Sequence, residues 1–409
     1  MTEQWARAQR VGGRVLTIPF LVLSAFAAIG MILVVVREFV GLGGTTGLND
    51  GYSWGLFKNF NVTTLTALGS SGYAVGVLTW LFNRRKYHVV MRAGALISIL
   101  AYTSALIALG VDIGRPWNMI WMLNPVTWNR YSVLLEVAIC MTAYVLLGLQ
   151  MENLPAFVER FIEGDYPEFW RKMADRVYKI VRRIYPFMIA LAFILPSMHQ
   201  SSLGSLMMLA GPRVHPLWQS PILPVLYLLM AYTLGFAAVV GILMVSCMIW
   251  KRPLDMTILS RLGYVTSFCA MVWLALYIGD IAGRGALKIA FRFDFYSFWF
   301  FLQLLLIMVP MLILQKASWR EDPAKLYMSL VVMTVGGLLY RYIPTTIAFI
   351  PGDHYRYWPT IPELFMSGGF VALAIIGYLY TVKRYNILPV PMTFVQTSGS
   401  GAVPSSQQH

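Results

Sequence analysis

Long apolar runs separated by short polar, aromatic or basic stretches recur along the whole chain. A helix of about 20 apolar residues crosses the roughly 30 Å hydrocarbon layer of a bilayer. Ten such runs are predicted, near residues 15–36, 56–82, 91–111, 131–150, 185–209, 222–250, 260–281, 295–315, 326–348 and 361–382. Backbone polar groups inside a membrane must be satisfied within the chain, so each run is expected to be helical. The pattern therefore implies an all-α, polytopic integral membrane bundle spanning residues 15–383. Three stretches break it. Residues 1–14 form a short basic lead, and residues 151–184 form a polar loop. In that loop Phe169, Trp170, Met173, Val177 and Ile180 recur at helical spacing and predict a helix lying flat on the membrane. Residues 384–409 form a tail whose last part, from Gln396, is rich in Ser, Gly and Gln and reads as disordered.

Composition agrees with that class: 58% of the 409 residues are hydrophobic and 12% are charged. The net charge of +14 would suggest nucleic acid in a soluble protein. Here roughly two-thirds of the 32 Lys and Arg fall before the first span or after even-numbered ones, which by the positive-inside rule puts both termini in the cytoplasm. The charge orients helices in the lipid bilayer, and no nucleic-acid motif accompanies it. The first run lacks a small-residue cleavage site and is expected to remain as a span. Cys140, Cys247 and Cys269 are isolated in sequence, so no iron–sulfur or zinc framework is encoded and all three read as apolar packers.

Polar residues within spans are costly and mark paths for protons, ions or polar ligand heads. The densest cluster is Pro196 to Ser205, PSMHQSSLGS, where His199, Gln200 and Ser201 sit together in the fifth run. A packed histidine beside a proline bend is the bland reading; the surrounding hydroxyls and amide favour a functional one. At 1.5 Å per residue His199 lies roughly 21 Å from the cytoplasmic side, in the outer half. The same count places Tyr102, Asp112 and Glu136 in that half, and the convergence of these four at one depth is the strongest constellation in the chain. Asp112 and Arg115 stand close enough at a helix end to pair or share a ligand oxygen. Glu136 needs a partner at its depth, and the structural alternative is an ion pair with Arg115 or Arg130. Asp280 sits at the outer boundary of the seventh span. Thr63, Thr64, Ser70 and Ser71, with Gly72 and Gly76, suit close helix packing in the second span. Arg84, Lys86, His88 and Arg92 read as a lipid-facing basic patch.

The stretches GLGGTTGLNDGYSWG, GVDIGRPWN, LLEVAICMTAY, PSMHQSSLGSLM followed by AGPRVHPLWQS, DFYSFWF and PTIPEL occur in an order that resembles one family across nearly the whole chain. That family is the membrane subunit of hydrogenase-2-type NiFe hydrogenases, within the wider superfamily of polysulfide-reductase membrane subunits. The resemblance implies two four-helix units plus two extra helices in the bacterial inner membrane. It implies partners too: a periplasmic ferredoxin-like iron–sulfur subunit and the small and large NiFe hydrogenase subunits. Electrons would pass between these and a quinone, menaquinone or ubiquinone, near the periplasmic face, with proton translocation as a possible coupling. The sixth span reads GFAAVVGILMVSC, without the acid this family leads one to expect, so proton transfer falls more heavily on Glu136 and Asp280.

On this reading a quinone carbonyl meets His199, whose neutral imidazole donates a hydrogen bond and whose charged form delivers a proton. Tyr102, Asp112, Arg115, Gln200 and Ser201 complete the site, and Glu136, Asp112, Tyr102 and Asp280 relay protons. Ligation of a haem by two histidines needs a facing intramembrane pair, and His199 stands alone, so no haem b is expected. Rival readings are the membrane subunit of a related polysulfide-, nitrite- or molybdo-reductase complex, a secondary transporter using the same polar cluster, and a plain anchor. No matching pair of broken spans marks the two halves, which argues against the transporter. An anchor would tolerate loss of both Glu136 and His199.

Overall fold

The computed structural model describes residues 8–113, 115–352 and 354–389. The lead before residue 8 and the tail from 390 lie outside the described residues. Ten elements cross in alternating directions: α1 (Ile18–Val40), α2 (residues 56–81), α3 (His88–Asp112), α4 (residues 133–163), α5 (Glu168–Leu209), α6 (Leu223–Ile249), α7 (Met256–Gly283), α8 (Phe295–Gln315), α9 (Pro323–Tyr342) and α10 (Ile361–Arg384). Eight of them, all but α2 and α4, contain a continuous helix long and apolar enough to cross a membrane. The protein is a multi-pass integral membrane bundle.

Two four-helix units make up its body. In the first, α2 packs on α3, and α4 and α5 pack on each other and on α3 or α2; in the second, α6 and α8 each pack on both α7 and α9. Contacts of α6 with α2 and α5 join the units. The two remaining helices, α1 and α10, pair with one another, and α10 also meets α3. Their crossing depends on Gly30 and Gly369: a Cβ on Gly30 would stand 2.7 Å from Phe365 O and 2.8 Å from Gly369 Cα. A two-stranded clasp, β1 (Ala8–Gln9) against β2 (Leu388–Pro389), holds both described chain ends at one end of the bundle. That end is called the clasp end below. The opposite loop end carries the long connections after α1, α3, α5, α7 and α9.

Two elements differ from the hydropathy pattern. Rather than one regular helix, α2 is a succession of α and π turns, Asn59–Thr64 and Val77–Leu81 being π, with a break at Gly69 and Ser70. A break in a spanning helix leaves backbone groups with no water to satisfy them. Ser98 of α3 supplies both needs: its hydroxyl donates to Gly69 O at 2.5 Å and accepts from Gly72 N–H at 2.7 Å. Gly235 of α6 lies so close to the break that a Cβ there would meet Ser70 C at 2.7 Å. The hydroxyls and glycines of this run do serve close packing.

The second difference concerns the predicted polar loop at 151–184. It is a helical hairpin, with only residues 164–167 between the end of α4 and the start of α5. The stretch expected to lie as a separate surface helix runs straight into the span, giving one helix of 42 residues. Phe169, Trp170, Met173 and Ile180 point outward from it. Arg92, expected in a lipid-facing patch, is instead 8% exposed and forms a two-pronged bond to Glu159 at 2.8 and 2.7 Å. Its carboxylate partner stands on α4, beyond the reach of any local sequence pattern.

Candidate functional site

Side chains of three helices in the first unit meet in its loop-end half. His199 of α5 is fully buried, and its Nδ1 lies 3.1 Å from Val137 O of α4. A carbonyl oxygen only accepts, so Nδ1 carries the hydrogen of the neutral ring and Nε2 presents a lone pair. This corrects the expectation that the neutral imidazole donates toward a ligand: it accepts, and it donates only when protonated. The edge of the ring meets Tyr102 of α3 at a centroid distance of 5.5 Å, and Tyr102 in turn meets Tyr144 of α4 at 5.0 Å. Gln200 Nε2 donates to Tyr102 Oη at 3.0 Å. His199 Nε2 and Gln200 Oε1 are buried with no partner among the described residues. Buried polar atoms are nearly always paired, so two orphans one residue apart indicate a missing polar ligand or water.

Arg341, near the end of α9, ties the second unit to α2 of the first. It is fully buried, donating to Thr63 O of α2 at 3.0 Å and Tyr227 O of α6 at 2.7 Å. Its guanidinium lies 4.8 Å over the Tyr227 ring, and Nε has no partner. Among the described residues no carboxylate lies within ion-pair distance of it. A buried cation without an anion is costly and points to a ligand that supplies the missing charge. Sequence reasoning missed it by counting Arg341 with the loop charges, although it is the one charged residue in the apolar run at 326–348.

Other expected site residues lie elsewhere. Asp112 does not pair with Arg115. It is held between Arg37 of α1 at 3.0 Å and Lys58 of α2 at 2.9 Å, with its side chain 7% exposed. Arg115 is exposed. Glu136, expected in the relay, occupies the first turn of α4 and is exposed, turned away from His199 although its neighbour Val137 touches that ring. Ser201 bonds back to Met198 O at 2.9 Å on its own helix, one position too far round to face Tyr102. Asp280 pairs with Arg284 one turn on, at 2.8 Å, on the second unit.

Two further groups escaped sequence reasoning. Glu363, in the first turn of α10, is fully buried and accepts from Phe57 N–H at 3.1 Å and from the Tyr357 hydroxyl at 2.8 Å. Burial and this carboxylate hold the Tyr357 phenol well above its usual value, although a bond from Leu56 N–H opposes the shift. The pair ties the loops after α1 and α9 over the end of α2. In the second unit Gln303 accepts from Trp218 Nε1 at 2.7 Å, while the Tyr277 hydroxyl donates to Leu217 O at 3.0 Å. Both anchor the loop after α5. His215 of that loop stacks on Tyr296 at 4.2 Å, and its burial lowers its pKa, with Asp294 acting against the shift.

Comparison with known proteins places this geometry in a lineage. The polysulphide reductase, NrfD, description matches residues 44–350. The chain is 35% identical over 384 residues to a probable Ni/Fe-hydrogenase 2 b-type cytochrome subunit of Escherichia coli, covering 93% of this chain and 95% of that one. It is 26% identical to the integral membrane subunit of a menaquinone reductase of Nitratidesulfovibrio vulgaris, covering 85% of each chain. An Hdr-like menaquinol oxidoreductase integral membrane subunit of Archaeoglobus fulgidus is 22% identical over 90% of this chain and 93% of its own. The first of these names corrects the expectation of no haem b, since it describes a relative of full length as a b-type cytochrome subunit. His199 lies deep in a span, whereas His88 begins α3 and His215 and His354 belong to loops. Among the described residues the donor set thus offers one imidazole rather than a facing pair, which does not fit ligation by two histidines of this chain, and no step below is routed through a haem. With one family covering three-quarters of its length and a relative of this identity along nearly all of it, the chain belongs to the polysulphide reductase, NrfD, family of membrane subunits.

Proposed function

We propose that this protein is the quinone-reactive membrane subunit of a respiratory hydrogenase-type complex. Its clasp end faces the cytoplasm of a bacterium, and its loop end faces a periplasmic iron–sulfur subunit that works with the small and large NiFe subunits. Electrons pass between that partner and menaquinone or ubiquinone at the loop-end half of the first unit. One observation carries the reading: His199 Nε2 and Gln200 Oε1 are orphaned in a fully buried cluster with Tyr102. The names of the relatives point the same way, as one is a hydrogenase subunit and two belong to menaquinone or menaquinol enzymes.

On this reading the ring head of the carrier binds against Tyr102, and one of its oxygens meets His199 Nε2. When the carrier is a quinol, its O–H donates to Nε2, and the proton passes to the imidazole as electrons leave. In the other direction the protonated ring returns it. The bond from Nδ1–H to Val137 O fixes the tautomer and aims Nε2, so proton transfer needs no ring flip. Gln200 holds the Tyr102 hydroxyl and so sets the wall on which the head stacks. The exposed position of Glu136 separates it from this step, and any proton route through it must pass over the surface of α4.

The test is His199→Ala in the intact complex, with hydrogen as donor and a soluble naphthoquinone as acceptor. Turnover should fall about a hundredfold, the range for loss of one general acid or base, while hydrogen oxidation with a dye acceptor is retained. Unchanged quinone reduction would remove the assignment.

A further inference from the structure

We infer that Arg341 makes this site selective for a negatively charged quinoid head, so that the form held most tightly is the anion left when a quinol O–H gives its proton to His199. The inference rests on the quinone reading above and adds the charge state of the ligand. Its basis is an imbalance. Arg341 is fully buried, donates only to the uncharged carbonyls Thr63 O and Tyr227 O, and keeps Nε unpartnered. Among the described residues the other buried cations have carboxylates: Arg37 shares Asp112 with the partly exposed Lys58, and Arg92 has Glu159. A buried cation lacking its anion costs several kcal/mol, as an order of magnitude, unless a ligand supplies the missing charge. The ring under the Arg341 guanidinium belongs to Tyr227, whose hydroxyl is buried, has no partner among the described residues and offers a neutral donor.

The step balances without a further reactant. The O–H bond of the quinol breaks, an N–H bond forms at His199 Nε2, and the electron pair of the broken bond stays on the carrier oxygen as a single negative charge. Arg341 is the fully buried cation available to balance that charge, since among the described residues it has no carboxylate of its own. It does so while fixed by two carbonyls from different helices, so the positive charge does not have to move as the ligand changes. Arg341 is thus a positioning residue for charge: it sets which protonation state of the head the site prefers, and His199 performs the transfer.

Two naphthoquinone probes of nearly the same size separate the possibilities. Lawsone, a hydroxynaphthoquinone, is an anion at neutral pH, whereas menadione, its methyl counterpart, is neutral. Binding of each to the membrane-embedded complex is measured by competition against quinone turnover. The wild-type protein should favour lawsone by at least about tenfold, the factor expected for one charge-assisted interaction shielded from water. Arg341→Gln should abolish that preference with menadione little changed, and Arg341→Lys should retain most of it. Equal binding of the two probes to the wild type overturns the inference and leaves the quinone reading standing, and it needs no variant to fold. A preference that persists in Arg341→Gln assigns the selectivity to another group and overturns it as well. Failure of both probes to compete would instead remove the quinone site itself.

Discussion

The loop-end cap of the second unit and the buried cluster of the first solve the same problem of polar groups in a membrane in opposite ways. In the second unit Tyr277 and Trp218 direct their donors at the loop after α5, to Leu217 O and Gln303 Oε1, so polarity there fastens a cap. In the first unit Tyr102, His199 and Gln200 face one another and leave acceptor atoms over. The contrast repeats at the helix ends. Asp280 is neutralised by an arginine one turn along its own helix, while Asp112 draws cations from two other elements. Polar groups closed by neighbours in sequence stabilise the fold locally; groups closed from afar, or left open, couple helices or wait for a ligand.

The sharpest way to break that contrast is to neutralise both aspartates. Asp112→Asn leaves the buried Arg37 and its neighbour Lys58 without an anion and should cost about 3–5 kcal/mol, whereas Asp280→Asn should cost about 1 kcal/mol or less. Thermal denaturation of the solubilised complex reads both, and similar losses would end the distinction. Next come the two glutamines. Gln303→Leu strands the Trp218 N–H and should lower stability by about 1–3 kcal/mol with turnover per assembled complex unchanged. Gln200→Leu frees the Tyr102 hydroxyl and should reduce quinone turnover about tenfold. An equal effect of both on turnover would mean that the Trp218–Gln303 cap also meets the carrier.

A smaller effect concerns acid. His215 has a lower pKa in the folded protein than the usual value of about 6.5, so below that value the unfolded chain takes up a proton that the folded one resists. Melting temperature should be flat above neutrality and fall as pH drops toward 5, and His215→Phe should flatten the fall. The smallest change is expected at Glu136. Being exposed, its replacement by Gln should leave turnover within about twofold. A large loss there would return it to the proton path and would require water or a partner subunit to link it to His199.

Hydropathy made the bundle legible because each crossing needs an apolar run of similar length. It could not show the broken α2, since the break is tolerated only because Ser98 of another helix satisfies Gly69 and Gly72. Nor could it separate a surface helix from an extension of α5: an amphipathic stretch looks alike in both. Counting residues along helices gave depth, which brought Tyr102 and His199 to one level. Depth carries no azimuth, and so Glu136 and Ser201, at suitable heights, turn elsewhere. Asp112 found its cations 75 and 54 positions away, on other helices, where no local spacing points to them. Arg341 was legible in principle, as a lone charge within an apolar run flanked by tyrosines, but charge counting assigned it to water.

The pairing of α1 with α10 also constrains how the protein is made. α1 is made long before its principal neighbour α10, and the two meet through a crossing that admits only glycine at Gly30 and Gly369. During synthesis α1 must therefore wait in lipid, largely unattended, until α10 has been made. Only a product that includes α10 can seal the perimeter, and a polypeptide cut short before it displays a bare seam to the quality-control proteases of the cell.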